Sequence, residues 1–254
     1  RIKDFQGNTA ADLGVELAKL SKEGARGLVL DLRNNPGGLL SAAIDVSDLF
    51  LEKGVIVTTA GQGPEERDTR SAEDSGNEPT YPIVVLINSG SASASEIVAG
   101  ALKNNGRALL VGQRTFGKGS VQVLYDYPDG SALKLTTAQY LTPGDISIQS
   151  VGVVPHVDLM PMRADAEMLD LQVDGGYHES DLDRHFEGDR DSAIRISRPV
   201  ASLRYLWTPA KPSTPASDTK AKGEGEGEGD GDGAEAPLDD GGDDEPDYEA
   251  LVAR

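Results

Sequence analysis

The sequence has no cysteine, which excludes disulfide crosslinks, thiol chemistry and cysteine-ligated zinc sites. Long apolar runs are also missing. No stretch approaches the ~18 residues that a membrane-spanning helix needs, and the longest clean run, 83–87, has the length of a buried strand. Positive charge is scarce, with 24 Lys and Arg against 43 Asp and Glu among 254 residues and a formal charge of −19. This excess of acid disfavours a nucleic-acid partner, because phosphates would be repelled.

Much of the acidic excess lies at the C-terminus. Residues 209–254 hold 14 acidic side chains, four basic ones and almost no large apolar residues, so this segment cannot build a hydrophobic core. We therefore predict three parts: a folded core over 1–160, a partly helical extension over 161–208 and an acidic, low-complexity, disordered tail over 209–254. The chain begins at Arg1 and not at methionine, and we expect it to be a fragment of a longer protein.

Strand and helix patterns alternate through the first half of the chain. The apolar segment 27–32 is typical of a buried strand, and a loop rich in turn-forming residues, 34–38, follows it. A later strand, 82–87, leads into a helix of small residues over about 93–103. This repetition implies βα crossovers and an α/β fold with a largely parallel sheet. Further along, Pro128-Asp129-Gly130 predicts a hairpin.

Serines and alanines are concentrated between the strand 82–87 and the helix that follows it. Ser91, Ser93 and Ser95 lie there, and a helix N-terminus offers free main-chain N–H groups and partial positive charge for an oxyanion. A structural alternative exists, because Ser93 and Glu96 have the Ser-x-x-Glu spacing of a capping box. On these residues alone, both a nucleophile and a helix cap stay open.

A serine nucleophile needs a general base. The histidines at 156, 178 and 185 accompany no G-x-S-x-G motif, and we interpret each as an ordinary surface or core-edge residue. Lys118 is the remaining candidate, because the glycines on both sides of it permit tight turns beside a substrate groove. A loop lysine is more commonly just solvated, and that alternative also stays open.

Five short blocks occur in order over about 5–159. They are Leu30-Asp-Leu-Arg-Asn-Asn-Pro-Gly-Gly38, Ser91-Ala-Ser-Ala-Ser-Glu96, Gly112-Gln-Arg-Thr-Phe-Gly-Lys-Gly119, Thr142-Pro-Gly144 and Gly152-Val-Val-Pro155. Together they resemble the S41 family of serine proteases, the carboxy-terminal processing or tail-specific peptidases. The resemblance implies a ClpP- or crotonase-like core of βα units.

The resemblance also implies roles for individual residues. Ser93 matches the family's nucleophile, Lys118 its general base and Gln122 the residue that orients the lysine. A lysine abstracts a proton only when its amine is neutral, so we expect no Asp or Glu to approach Lys118.

The implied reaction is acyl transfer through a covalent acyl-enzyme. Its oxyanion hole would use the main-chain N–H of Ala94 and that of Gly37 or Gly38. No metal and no organic cofactor are implied.

The resemblance further implies protein or peptide substrates that are cleaved near their C-termini. It predicts a PDZ domain upstream of Arg1 and a periplasmic or otherwise exported location, with no transmembrane segment in this fragment. Two alternatives compete with a peptidase: a non-catalytic peptide- or ligand-binding module on the same fold, and an interaction protein that acts through its acidic tail.

Overall fold

The computed structural model describes residues 1–61, 63, 65–163, 172–173, 176–183, 185 and 198–206. In these residues the helices are α1 (Thr9–Lys22), α2 (Leu40–Asp48) and α3 (Ala94–Asn104), with one 3-10 helix at Glu179–Asp181. The strands are β1 (Leu28–Asp31), β2 (Val55–Ala60), β3 (Arg67–Ser71), β4 (Ile83–Ile87), β5 (Ala108–Gly112), β6 (Ser120–Asp126), β7 (Ala132–Thr142), β8 (Ile146–Ser147), β9 (Val157–Arg163), β10 (Gln172–Val173) and β11 (Ala201–Leu206).

The first sheet has the order β1-β4-β5-β9-β10, with β11 also paired to β9. Its β1–β4, β4–β5, β5–β9 and β9–β11 pairs are parallel, and only β10 runs antiparallel to its neighbour. The residues of β4 are all large and aliphatic and suit a strand covered on both faces. The predicted α/β fold with a mostly parallel sheet is confirmed.

A second sheet is antiparallel, with the order β3-β2-β7-β6 and β8 beside β7. Strands β6 and β7 are antiparallel, and their pairing runs from Asp126 opposite Ala132 to Ser120 opposite Gln139. This confirms the hairpin predicted around Pro128-Asp129-Gly130. Strand β3 is polar, and all of its residues are exposed. It pairs with β2, so its conformation comes from this partner and not from a hydrophobic pattern of its own.

Helix α3 lies at the centre of the core. Every residue of its segment 94–102 is buried, and the helix contacts α2 and the strands β2, β5 and β7. Its alanines and Gly100 allow this close packing: a Cβ added to Gly100 would collide with the side chain of Thr142. Because α3 is fixed on several sides, its N-terminus is held in one position.

All the described residues belong to one compact unit of the chain. The first compact unit is Arg1–Trp207, and within it β9 continues past residue 160 while β11 extends the same sheet. The described parts of 161–208 form strands and a single 3-10 turn. The acidic tail predicted over 209–254 lies outside the described residues, so the three-part division stays a prediction. Within the described residues, no helix is both long and apolar enough to span a membrane.

Truncating α3 at its buried face should destabilise the chain. Ile97 is 1% exposed, and Ile97→Ala should lower the free energy of unfolding by about 2–5 kcal/mol, since it removes buried methylene groups and leaves a cavity. Val15 on α1 is 68% exposed, and the control Val15→Ala should stay within about 0.5 kcal/mol of the unmutated chain. Urea unfolding measures both. Equal effects of the two substitutions would contradict this description of the core.

Candidate active site

Three loops meet where neighbouring parallel strands end. Strands β1, β4 and β5 lie side by side, so the segments 32–39, 88–93 and 113–119 that follow them emerge at one edge of the sheet. In open α/β sheets this carboxyl edge is where ligands bind. The first two loops are joined by Asn34 and Asn88, whose side chains hydrogen-bond at 2.7 Å, and Phe116 N–H joins the third by donating to the Ser91 carbonyl at 3.0 Å.

The three serines before α3 have different environments. Ser91 and Ser95 are fully buried, and their hydroxyls donate to the main-chain carbonyls of Leu32 at 2.8 Å and Asn35 at 2.9 Å. They fix the 32–39 loop against the start of α3. Ser93 lies between them and is only partly buried, so it is the serine that a substrate could reach.

Ser93 is the N-cap residue of α3 and has a sparsely populated conformation, with φ 54° and ψ −112°. Such a conformation costs about 1–3 kcal/mol and is kept only where the surroundings enforce it. The N–H groups of Glu96 and Ile97 donate to the Ser93 carbonyl, and that of Ser95 donates to Ala92. Among the described residues, the Ala94 N–H has no hydrogen-bond acceptor. Ser93 is thus both cap and candidate nucleophile, beside one open main-chain donor.

Gly37 faces this open donor. A Cβ on Gly37 would lie 2.9 Å from Ser93 Cβ and 3.0 Å from Ala94 N, so only glycine leaves the space free. Its own N–H donates to Asn35 Oδ1 at 2.9 Å. Gly38 bridges to Phe5 through the atoms on either side of it, because Phe5 N–H donates to the Gly37 carbonyl and Leu39 N–H donates to the Phe5 carbonyl.

The loop that carries Lys118 is held along its whole length. Main-chain atoms of every residue from 115 to 119 are hydrogen-bonded, Lys118 to Glu96 and the others to partners that include Val153, Ser91, Ser150 and Tyr140. The Lys118 side chain is half-buried. This dense bonding fixes where the side chain begins.

Glu96 joins the serine turn to the lysine loop. Its Oε2 accepts the main-chain N–H of Ser93 at 2.8 Å and that of Lys118 at 2.8 Å. Its Oε1 accepts the Thr115 hydroxyl at 2.5 Å and the Gly117 N–H at 2.7 Å. One carboxylate oxygen therefore holds both candidate catalytic residues by their backbones. The expectation that no Asp or Glu approaches Lys118 is wrong: Glu96 reaches its main chain.

The buried position of Glu96 explains how a carboxyl group can lie so close to a lysine. Burial raises the pKa of Glu96 from 4.5 to about 7, against hydrogen bonds from Thr115, Ser93, Gly117 and Lys118 that lower it. Near neutral pH the group is therefore half protonated, and its negative charge is reduced accordingly.

The side chains of Ser93, Lys118 and Gln122 are not joined by hydrogen bonds in the described part of the chain. Gln122 lies on β6, where it is exposed and is paired with Thr136 beside a β-bulge. The loop geometry brings the backbones of Ser93 and Lys118 together through Glu96, and their roles with Gln122 stay predictions. The described residues contain no cluster of His, Asp and Glu that could hold a metal ion.

Comparison with known proteins identifies the family. The sequence model of peptidase family S41 matches residues 1–159. The chain belongs to peptidase family S41. The C-terminal processing peptidase of the Tetradesmus obliquus chloroplast is 43% identical over 176 residues, which are 69% of this chain and 36% of that protein. The carboxyl-terminal-processing protease of Synechocystis is 46% identical over 170 residues, 66% of this chain and 39% of that protein.

A solved structure has the same fold. The photosystem II D1 C-terminal processing protease is 43% identical, with a TM-score of 0.59 over 62% of this chain and 41% of that chain. The predicted S41 resemblance and fold class are both confirmed. This chain spans well under half the length of these relatives and carries the part that matches the S41 peptidase domain.

Three residues of the site could not be identified from the sequence alone. The spacing of Glu96 from Ser93 predicts only half of a capping box, yet its fully buried carboxyl group also binds residues 19 to 22 positions later. Thr115 and His178 are buried as well, and His178, which the sequence placed at the surface or the core edge, contacts the lysine loop. For Glu96 the sequence does contain one signal of a buried role, because it is an acidic residue in a helix that otherwise consists mainly of small and apolar residues.

The raised pKa of Glu96 predicts a pH dependence of stability. Between its ordinary pKa of 4.5 and its folded pKa of about 7, the folded chain binds the proton more tightly than the unfolded chain. The free energy of unfolding should therefore fall as pH rises through this window, by roughly 3 kcal/mol in all. Urea unfolding from pH 4.5 to 7.5 should show this slope in the unmutated chain and lack it in Glu96→Gln.

The difference between the two proteins isolates Glu96, because every other group that titrates in this window is present in both. The substituted chain should also be less stable overall, since an amide has one acceptor oxygen where the carboxylate has two. Parallel pH profiles would show that the pKa of Glu96 is not raised.

Proposed function

We propose that this chain is the catalytic domain of a serine endopeptidase that acts through a Ser93–Lys118 dyad. The observation that carries the proposal is the shared acceptor: Glu96 Oε2 accepts the N–H of Ser93 and the N–H of Lys118, each at 2.8 Å. The two main-chain nitrogens are therefore no farther apart than twice that distance. A lysine side chain is long enough to return from there to the serine hydroxyl.

In the first half of the reaction, neutral Lys118 Nζ takes the proton from Ser93 Oγ as that oxygen attacks the peptide carbonyl carbon. The tetrahedral intermediate collapses when Lys118 returns the proton to the leaving amine, which frees the C-terminal product and leaves an ester on Ser93. In the second half, Lys118 takes a proton from water, the water attacks the ester, and Ser93 Oγ recovers its proton.

The oxyanion of each intermediate needs preorganised donors. The N–H of Ala94 is one, since it lies at the N-terminus of α3 and is left open. For the second we favour Gly38 over Gly37, because the Gly37 N–H already donates to Asn35 Oδ1. The partial positive charge of the α3 N-terminus adds to both.

Gln122 would orient the lysine amine without adding charge. It lies four residues after Lys118 at the start of β6, and an amide oxygen can accept a hydrogen bond from a neutral amine. Gln122 is exposed in this structure, so this role requires its side chain to turn toward Lys118.

The substrate class comes from the relatives. Proteins named C-terminal processing proteases match this chain at 43–46% identity, so we propose protein substrates that are cleaved near their C-termini. We also propose that a PDZ domain elsewhere in the full-length protein captures the substrate terminus, and that the protein is exported. No cofactor enters this scheme.

Removing either member of the dyad should abolish cleavage. With fluorescein-labelled casein as the probe, Ser93→Ala and Lys118→Ala of the full-length protein should each lower kcat by roughly 1,000-fold or more. Lys118→Arg should fail equally, because a guanidinium keeps its proton at working pH. Melting temperatures should stay close to that of the unmutated protein, since neither side chain is part of the buried core.

Lys134→Arg is the matched control, because Lys134 is an exposed lysine on β7 and its substitution should leave kcat unchanged. Substantial cleavage by Lys118→Arg would leave the lysine with only a charge or docking role. Casein binding without turnover in the unmutated protein would instead favour the non-catalytic binding module.

Mass spectrometry of the products tests where cleavage occurs. An unfolded protein substrate should yield products shortened from the C-terminus, with the N-terminal fragments retained. Amidation of the substrate's terminal carboxylate should slow cleavage, because carboxylate capture would be lost. Fragments distributed evenly along the substrate would contradict C-terminal processing and leave the peptidase assignment intact.

A further inference from the structure

A short segment beyond the part matched by the S41 family model packs against the lysine loop. This segment, 176–181, includes the 3-10 helix Glu179–Asp181 and belongs to the same compact unit as the core. His178, inside it, is only 8% exposed, which is unusual for a histidine in so polar a stretch of sequence. Its position therefore depends on contacts with the core.

Two hydrogen bonds connect this segment to the lysine loop, at the residues two and three positions before Lys118. His178 Nδ1 lies 3.1 Å from the Thr115 carbonyl oxygen. A carbonyl can only accept, so Nδ1 carries a hydrogen and donates it. Glu179 N–H donates to the Phe116 carbonyl at 2.9 Å. The carbonyls two and three residues before Lys118 thus depend on the segment for their donors.

Three further contacts hold the segment to the site. The ring of Tyr177 lies 6.4 Å from that of Phe116 between centroids. Gln149 donates to Glu179 Oε1 at 3.4 Å and accepts the Gly119 N–H at 2.9 Å, so it reaches the other side of Lys118. Gly176 approaches Ser89 so closely that a Cβ would collide with its side chain.

We propose that the segment 176–181 is a positioning element of the active site and that His178 is its central positioning residue. The proposal rests on the dyad proposed above. His178 acts through Thr115: its ring fixes the Thr115 carbonyl, while the Thr115 hydroxyl donates to the Glu96 carboxyl group that holds Ser93 and Lys118. Without His178 the Thr115 carbonyl loses this donor, and the loop from which the lysine side chain begins is held less firmly.

Three variants of the full-length protein separate this role from simple packing. His178→Leu keeps an apolar side chain but removes the donor. His178→Asn places an amide N–H the same number of bonds from Cα as Nδ1, so it restores the donor. His185→Leu is the matched control, because His185 Nδ1 also bonds a carbonyl, that of Leu182 at 3.0 Å, and among the described residues no hydrogen bond joins it to the lysine loop.

On fluorescein-labelled casein, His178→Leu should lower kcat by about 10- to 100-fold with little change in KM, because a displacement of about 1 Å at the reacting groups has an effect of this size. His178→Asn should recover most of the loss, and His185→Leu should behave as the unmutated protein. Recovery by asparagine is the result that a purely structural role of the ring would not give.

Amide hydrogen exchange provides a second readout that needs no activity. Exchange at Gly117 and Lys118 should accelerate in His178→Leu and stay slow in His178→Asn and His185→Leu. Unchanged exchange and unchanged kcat in His178→Leu would overturn this inference while the dyad stands. If the unmutated protein did not cleave casein, the proposed dyad would be overturned. The exchange rates alone would then decide whether the segment positions the loop.

Discussion

The carboxyl group of Glu96 is the interaction on which the site depends. It receives three main-chain N–H groups and one hydroxyl from the start of α3 and from the lysine loop. Withdrawing a carboxylate from water costs several kcal/mol, and hydrogen bonds to a charged group return about 1.5–3 kcal/mol each. The two effects are comparable, and the pKa of about 7 shows that desolvation exceeds the hydrogen bonds by a modest margin. A carboxylate offers two acceptor oxygens, and in Glu96 these satisfy four donors from two segments.

The parallel sheet makes such a junction possible. Because β1, β4 and β5 are adjacent and run the same way, three loops far apart in the sequence end within hydrogen-bonding distance of one another. The buried hydroxyls of Ser91 and Ser95 then fix the glycine-rich loop to the helix. Packing of α3 on both sheets adds rigidity, so the strained backbone of Ser93 is held by its hydrogen bonds to Glu96 and Ile97 and by the fixed position of the helix in the core.

Local sequence patterns predicted those parts of the fold and the site that depend on interactions between residues close together in the chain. The apolar strand 83–87, the turn after it and the small-residue helix all have clear signatures, and they place Ser93 at a helix N-terminus. The partners of Glu96 could not be predicted in this way, because the same Ser-x-x-Glu spacing describes a helix cap at any protein surface. What distinguishes Glu96 is burial by strands and loops that arrive later in the chain. The contact of His178 is even less predictable from the sequence, since its acceptor lies 63 residues earlier and no periodicity connects the two positions.

The direction of each hydrogen bond around Glu96 determines how the site responds to protonation. A main-chain N–H can only donate, whereas the Thr115 hydroxyl can donate or accept. A proton on Oε2 would face two N–H groups, so the proton belongs on Oε1, where Thr115 can reverse its role while still accepting the Val153 N–H at 2.6 Å. Oε2 then keeps the N–H groups of Ser93 and Lys118 in both charge states. The two N–H groups that join the proposed catalytic residues therefore keep their acceptor in both charge states, and the rearrangement falls on the Thr115 hydroxyl, whose hydrogen leaves Oε1.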